Sequence, residues 1–280
     1  MKKDIKPAKN PPPQQDEPLD TSRAPMTNQR RSQIADLVRD RGSMRVIELA
    51  ELFDVSEVTI RNDLVQLEKD GELVRDRGGA VPGVAPRQIT SLLAVEQRSH
   101  LQPDQKRRVA RAAAALVKPG DTIIMDAGTT VVEMVPYLAD ITPLTVVTNA
   151  LNVVLEVASK TDARIIVLGG TFSREASSTI GSIAERMLGD LVVQKAFLGT
   201  QAFDIENGLT DTTLEIAEVK RAMIRAARRT VLLTDSTKLG RSGFIKVAPL
   251  TAMHTIICDE ALPVEVRSAL EQLGVEVTIA

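Results

Sequence analysis

"DAGTT", residues 126–130, is the stretch with the most legible chemistry. It follows the apolar run "TIIM" and opens a helical pattern, so it reads as a strand-to-helix turn. Gly128 lets a ligand approach the backbone, Thr129 and Thr130 supply hydroxyls, and amides at a helix start favour an anion. Alone, the turn is unspecific, being neither a Walker sequence nor a dinucleotide fingerprint. Its neighbours share its character. The apolar runs end in Asp126, Thr148–Asn149, Gly169–Gly170, Gly199–Thr200 and Asp235. Such residues favour turns in any case. Five strands ending this way together nevertheless outline a crevice, because open α/β sheets bind ligands at the carboxyl ends of their strands.

Other chemistry is sparse. His100 and His254 are isolated, no metal-ligand spacing occurs, and neither a metal nor a cofactor is expected. Cys258, in "HTIICDE", has no partner in the chain. It reads as a small core residue and suits a reducing cytoplasm. Aromatics are 2% of the chain, which argues against stacking platforms for single-stranded nucleic acid.

A second group of residues lies in "DVSEVTIRNDLVQLEKDG", 54–71. On a helical wheel Ile60, Leu64 and Leu67 form one stripe, while Val58, Arg61, Asn62, Val65 and Lys69 fall opposite. Arg and Asn make bidentate hydrogen bonds to guanine and adenine edges, and a short apolar side chain meets a thymine methyl. That outer face suits the major groove better than it suits water. Residues 27–90 hold ten basic against eleven acidic side chains, so a polyanion must be held by local clusters.

These sites need elements to position them. Residues 1–26, rich in Pro, Lys, Asp and Gln, are expected to form a disordered tail, with Met26 a second candidate start. Residues 27–82 read as three helices and a hairpin. Ile34, Leu37 and Val38 mark the first helix, which Gly42 stops. In "VIELAELF", Ile47, Leu49, Ala50, Leu52 and Phe53 are expected largely inward, and Ser56 caps the third helix. "ELVRDRGGAV" turns at Gly78–Gly79 and carries Arg75 and Arg77, as a wing would. Arg30, Arg31, Arg39, Arg41 and Arg45 are candidate phosphate contacts. Residues 83–103 read as a linker with a short helix. Residues 104–280 alternate helical stretches with continuously apolar runs, the pattern of a mostly parallel α/β sheet. No apolar run approaches the roughly 18–20 residues that span a bilayer, so no membrane partner is expected.

"VSEVTIRNDLVQLEKDGELVRDRGGAV" resembles the signature of the DeoR family of bacterial transcriptional regulators. "IIMDAGTT", "VVTNALNV", "VLGGTF", "AFLGTQAFD", "EVKRAMI" and "LLTDSTKLGRS" extend the resemblance over roughly residues 28–280. It implies a winged helix-turn-helix followed by a sensor domain similar to ribose-5-phosphate isomerase. It further implies repression of a sugar-catabolic operon until a phosphorylated sugar binds, and a homodimer or homotetramer on double-stranded operator DNA. "VTIRNDLVQLEKDG" is most similar to regulators of amino-sugar (N-acetylgalactosamine type) catabolism. On this resemblance Ser56, Val58, Thr59, Arg61, Asn62, Val65, Lys69, Arg75 and Arg77 meet DNA. Gly128, Thr129 and Thr130 cradle the phosphate, and Asp126, Thr148, Asn149, Gly169 and Gly170 line the sugar. Glu215, Lys220, Asp235 and Lys238 sit in family motifs at the same crevice, with Lys220 equally readable as a surface lysine. Two other readings compete: an isomerase-like enzyme fused to a DNA-binding domain, and a DNA-binding protein without an inducer. Against the first, the isomerase-type Asp-Gly-Ala-Asp-Glu run is replaced here by "GTQAFDIENG". Catalysis is therefore not expected.

Overall fold

The computed structural model describes residues 23–41, 43–70, 72–76, 78–82, 87–89 and 95–280. The chain divides into two compact units, Met1–Ala85 and Pro86–Ala280. The first runs α1 (Arg23–Arg41), β1 (Met44–Arg45), α2 (Val46–Phe53), α3 (Glu57–Lys69), β2 (Leu73–Asp76) and β3 (Gly79–Pro82). Its strands form a small antiparallel sheet in the order β1-β3-β2. This is a winged helix-turn-helix. Ser56 starts α3 by accepting the Thr59 N–H at 3.1 Å, a cap whose loss typically costs about 1 kcal/mol. Ile60, Leu64 and Leu67 are buried with Ile34, Val38 and Leu49, as their spacing requires.

Two expectations for this unit change. Helix α1 begins at Arg23, inside the stretch read as tail; Pro25 is tolerated there because a first-turn residue needs no backbone N–H. In α2, Ile47 and Leu52 point outward, 51% and 55% exposed. An eight-residue helix has one inner face, and Val46, Leu49, Ala50 and Phe53 occupy it. Gly42, the expected stop of α1, lies outside the described residues.

The second unit opens with β4 (Arg87–Ile89), α4 (Val95–Ser99) and α5 (Pro103–Ala114). It continues with β5 (Thr122–Met125), α6 (Thr129–Val132), β6 (Thr145–Thr148), α7 (Leu151–Lys160) and β7 (Arg164–Val167). The hairpin β8 (Thr171–Ser173) and β9 (Ser178–Ile180) leads to α8 (Ser182–Gly189) and β10 (Val193–Gly199). Next come β11 (Ala202–Asp204), β12 (Gly208–Asp211), α9 (Leu214–Ala226) and β13 (Ala227–Leu233). The chain closes with β14 (Arg241–Gly243), β15 (Ile245–Ala248), β16 (Thr255–Cys258), α10 (Val264–Gln272) and β17 (Glu276–Ile279).

Seven of these strands make a parallel sheet in the order β17-β16-β13-β10-β5-β6-β7. The strands read as unbroken apolar runs because both faces are covered. Ile123, Met125, Phe197 and Val231 enter one core, whereas Ile124, Leu198 and Leu232 enter the other. From β5 the chain winds outward through β6 and β7, then returns to place β10 on the other side of β5. The topological switch therefore lies between β5 and β10, the place where open α/β sheets bind ligands at the carboxyl ends of their strands.

The stretch read as a linker, 83–103, is in part a built element of this unit. Strand β4 pairs in parallel with β14, Arg87 opposite Arg241. Helix α4 buries Val95 and Arg98, and Pro103 starts α5. The helical pattern that "DAGTT" opens is only the one-turn α6 followed by a 3₁₀ turn at Val135–Tyr137. Pro136, which cannot supply the helical N–H, explains the break.

Candidate functional site

On α3, Val58 is 62% exposed, Arg61, Asn62 and Lys69 are exposed, and Val65 is half-buried. Ser56 and Thr59 bond through their hydroxyls, 2.9 Å apart, at the start of the helix. The outer face is thus free to meet a groove. Arg61 pairs with Glu57 one turn earlier, and Arg75 of β2 pairs with Glu68 at 2.9 Å. Exposed pairs of this kind are worth about 0–1 kcal/mol, so both guanidiniums can leave for a phosphate or a base. Arg77 lies outside the described residues, and nothing is described of the Arg39 and Arg41 side chains. Arg30 and Arg31 are otherwise engaged than expected. Their Nε atoms donate to the two carboxylate oxygens of Asp63, at 2.7 and 2.8 Å. Asp63 is 2% exposed, so the pair clamps α1 onto α3 before either arginine can serve DNA. Arg45, paired with Glu48, stays on the surface.

The crevice of the second unit begins where β5 meets β10. Gly128 and Gly199 lie back to back: a Cβ on either would come within 3.2 Å of the other's Cα. Asp126 accepts the Gly199 N–H at 3.1 Å. Lys220 reaches in from α9, bonding Asp211 at 2.7 Å and the Gly199 carbonyl at 2.9 Å, with Asp126 3.7 Å away. Lys220 is thus a buried lysine and not a surface one. Burial alone would lower its pKa, but the Asp211 and Asp126 carboxylates reverse this and hold it above its ordinary value. Sequence reasoning missed Asp211, because the four-residue β12 that ends in it is too short to show a pattern. Glu215, at the exposed start of α9, is not among the partners of Lys220, and Glu218 pairs with Arg221.

Thr129 and Thr130 are buried beside this turn, 7% and 8% exposed. As α6 is a single turn, its dipole adds little positive charge. Side chains add much more. Asp235 caps the turn after β13 by accepting the Thr237 N–H at 3.1 Å, and its charge acts on both Lys238 and Lys106 of α5. Both lysines have lowered pKa values. For Lys106 burial is the main cause, opposed by Asp235 and reinforced by Lys238 and Arg98. For Lys238 burial again dominates, opposed by Asp235 and reinforced by Arg241 and Arg98. Lysines held this way favour an anion that returns their charge partner. Lys106 escaped sequence reasoning because "KRR" at 106–108 looks like a solvated face. Its signal was its place on the buried stripe of α5, with Val109, Ala110 and Ala113.

The remaining predicted residues lie toward the β7 edge. Thr148 is fully buried, its hydroxyl donating to the Met125 carbonyl at 2.6 Å and accepting the Ala150 N–H at 3.1 Å. It ties β6 to β5. Asn149 donates to the Thr179 carbonyl at 2.8 Å, while its own side-chain oxygen is buried without a partner. Gly169 and Gly170 end β7, two strands and so about 10 Å from β5. A Cβ at Gly170, where φ is +143°, would stand 2.5 Å from the Ile180 carbonyl, so this glycine serves the β8–β9 hairpin. Among the described residues no group of acidic, His or Cys side chains could hold a metal, and no helix is long and apolar enough to cross a membrane. Burial, with the Asp259 charge beside it, pushes the Cys258 thiol up to about 12, so it is inert at neutral pH.

Residues 30–82 match the DeoR-like helix-turn-helix domain, and residues 101–260 match the DeoR C terminal sensor domain. A putative aga operon transcriptional repressor of Escherichia coli O157:H7 is 36% identical over 259 residues, 90% of this chain and 94% of its own. The transcriptional regulator YulB of Bacillus subtilis (strain 168), uncharacterized, is 38% identical over 250 residues, 89% of this chain and 95% of its own. GlcR, a transcriptional repressor of the same organism, is 31% identical over 88% of this chain and 93% of its own. Ribose 5-phosphate isomerase A of Methanocaldococcus jannaschii is similar over 49% of this chain and 54% of its own, at 18% identity and TM-score 0.37, too distant to bear on function. The relatives are named as regulators, in agreement with the expectation that the chain is no enzyme. Two domains matched in this order, and relatives aligned along nine-tenths of the chain, make it a member of the DeoR family of transcriptional regulators.

Proposed function

We propose that this regulator represses a sugar-catabolic operon and lets go of its operator when a phosphorylated sugar enters the crevice of the second unit. One observation carries the reading: the buried Lys106 lies on α5, which packs on the α6 turn of Thr129 and Thr130, and both it and the half-buried Lys238 feel the charge of Asp235. A dianion there meets two ammonium groups and two hydroxyls, while Asp126, Asp211 and Lys220 face the sugar end. The aga operon in the name of the Escherichia coli relative belongs to that protein; with the resemblance of α3, it makes phosphorylated amino sugars the first compounds to test. The test is operator affinity against a panel of N-acetylgalactosamine 6-phosphate, galactosamine 6-phosphate, ribose 5-phosphate and inorganic phosphate, at one salt concentration because phosphate contacts make affinity salt-dependent. A sugar phosphate should weaken operator binding by about 5–150-fold, the usual coupling range. If no member of the panel, nor a wider set of sugar phosphates, changed the affinity, the reading would fall.

On the DNA side, α3 reads bases through Arg61 and Asn62, and the wing holds phosphates through Arg75. A palindromic operator calls for a homodimer or homotetramer. Arg61→Ala is expected to cost about 1–3 kcal/mol and to relax preference at one base pair, whereas Arg75→Ala should weaken all sequences about equally. Gel-shift titrations on operator variants separate the two. Unchanged affinity and preference in Arg61→Ala would remove that residue from the reading face.

A further inference from the structure

Asn149 is 3% exposed, and its side-chain amide is only half satisfied. The Nδ2 donates to the Thr179 carbonyl at 2.8 Å, and the Asn149 backbone carbonyl accepts the Thr179 N–H at 2.8 Å. The Oδ1 is buried, and no group of the chain donates to it. Turning the amide over would set Oδ1 against the Thr179 carbonyl, acceptor against acceptor, so its orientation is fixed. Three residues on, in the first turn of α7, the Oδ1 of Asn152 is also buried and without a donor. Among the described residues these two oxygens are the only buried side-chain polar atoms that lack a partner.

A buried acceptor left unpaired opposes folding, and nearly all such groups in folded proteins find a donor. Asparagine near a helix start ordinarily serves itself by accepting an amide of the first turn. Here it does not: the N-cap of α7 is Ala150, and no side chain caps the helix. The two oxygens stand beside the phosphate turn. Thr148 pairs with Met125, so Asn149 and Asp126 leave β6 and β5 side by side, and α7 packs on α6. This is the flank of the Gly128–Thr130 turn away from β10, whose end Lys220 reaches through the Gly199 carbonyl. An amide oxygen only accepts, so it repels the oxygens of a phosphate and takes a hydroxyl or an amino group.

We propose that Asn149 and Asn152 form the sugar-recognising flank of the effector site, their oxygens accepting hydrogen bonds from hydroxyl or amino substituents of the sugar phosphate. The proposal rests on the sugar-phosphate reading above and gives the two asparagines the choice of sugar rather than the grip on phosphate. A site built to bond a polar substituent strongly rejects the analogue that lacks it, because its own buried group is then left unpaired.

The test uses the full chain, the sugar phosphate selected by the release panel, and its monodeoxy and deamino analogues, each lacking one donor and keeping the phosphate. Binding to the protein is measured without DNA. Wild type should bind at least one analogue about 5–150-fold more weakly than the parent, the effect of one unpaired buried acceptor. Asn152→Ala breaks no hydrogen bond of the fold, whereas Asn149→Ala gives up the bond to Thr179, so unfolding is followed in parallel. Each variant that folds should reduce the parent-to-analogue ratio to below about twofold for one analogue. Asparagines with a merely structural role would weaken parent and analogues alike and leave the ratios unchanged. Unchanged ratios in every variant that folds would overturn the proposal. Equal binding of all analogues to wild type, as when water serves both oxygens, would overturn it too and leave the sugar-phosphate reading intact. Inorganic phosphate should bind wild type and Asn152→Ala equally; weaker binding to the variant would put Asn152 at the phosphate and overturn the proposal. No binding of any sugar phosphate to wild type would overturn both readings.

Discussion

Lys220→Met is expected to destabilise the second unit by about 3–5 kcal/mol, the usual result of removing one partner from a buried ion pair. Methionine keeps much of the stem, so little of this loss is a packing effect. What remains is Asp211 and Asp126, 1% and 6% exposed as side chains, with no ammonium between them. The Gly199 carbonyl loses a donor as well. Thermal or urea unfolding measures the loss, and the double variant Lys220→Met/Asp211→Asn should recover part of it by removing one orphaned charge. A pH dependence follows for wild type. The folded pKa of Lys220 lies above its ordinary 10.5, so its contribution is complete below pH 10.5 and is lost as pH rises through the folded value. A loss smaller than about 1 kcal/mol in Lys220→Met would mean that the lysine is not the counter-charge that its distances indicate.

Lys220 also marks what could and could not be seen in the sequence. Six of the seven strands of the main sheet were legible as apolar runs, because a parallel sheet covered on both faces leaves few polar positions in the middle of its strands. Strand β17, "EVTI", was missed: Glu276 and Thr278 interrupt its apolar run, whereas the other edge strand, "RIIV", keeps three apolar residues together. The reading face of α3 was legible because its outer residues are individually suited to base edges. Charged groups that the fold buries were harder to place, and three share a pattern. Asp63 lies on the stripe of Ile60, Leu64 and Leu67; Lys106 on that of Val109, Ala110 and Ala113; Lys220 on that of Ala217 and Met223. A charged residue at an apolar stripe position must be buried, and a buried charge needs a partner. Pattern alone does not supply the partner. Arg30 and Arg31 for Asp63, or Asp211 for Lys220, lie on other elements and become neighbours only when the chain packs. Arg98 was hidden for the complementary reason. It stands in a stretch whose prolines and glycines suggested a linker, and only the pairing of β4 with β14 and the seat of α4 on α6 draw it into the unit.

Lys106→Gln and Thr129→Val should give a repressor that binds its operator and no longer lets go. Both side chains stand at the proposed anion site, in a unit distinct from the one that carries α3. A hydrogen bond to a charged group is worth about 1.5–3 kcal/mol, so Lys106→Gln should raise the sugar-phosphate concentration for half-release by roughly ten- to a hundredfold. Thr129→Val keeps volume and removes one hydroxyl, an effect of about 1 kcal/mol or somewhat more. Lys106 and Lys220 should then behave oppositely in stability. Lys220 is held charged by its carboxylates, and losing it is destructive. Lys106 is charged against the cost of burial and of its cationic neighbours, so Lys106→Gln should leave unfolding stability unchanged or raised while sensing fails. By reciprocity, operator DNA must weaken sugar-phosphate binding to wild type by the same factor by which the sugar phosphate weakens operator binding. Titrations in both directions, at one fixed salt level, check the pair. Wild-type release by both variants would place the phosphate elsewhere, and a stability loss in Lys106→Gln comparable to that of Lys220→Met would make Lys106 a structural lysine rather than a sensing one.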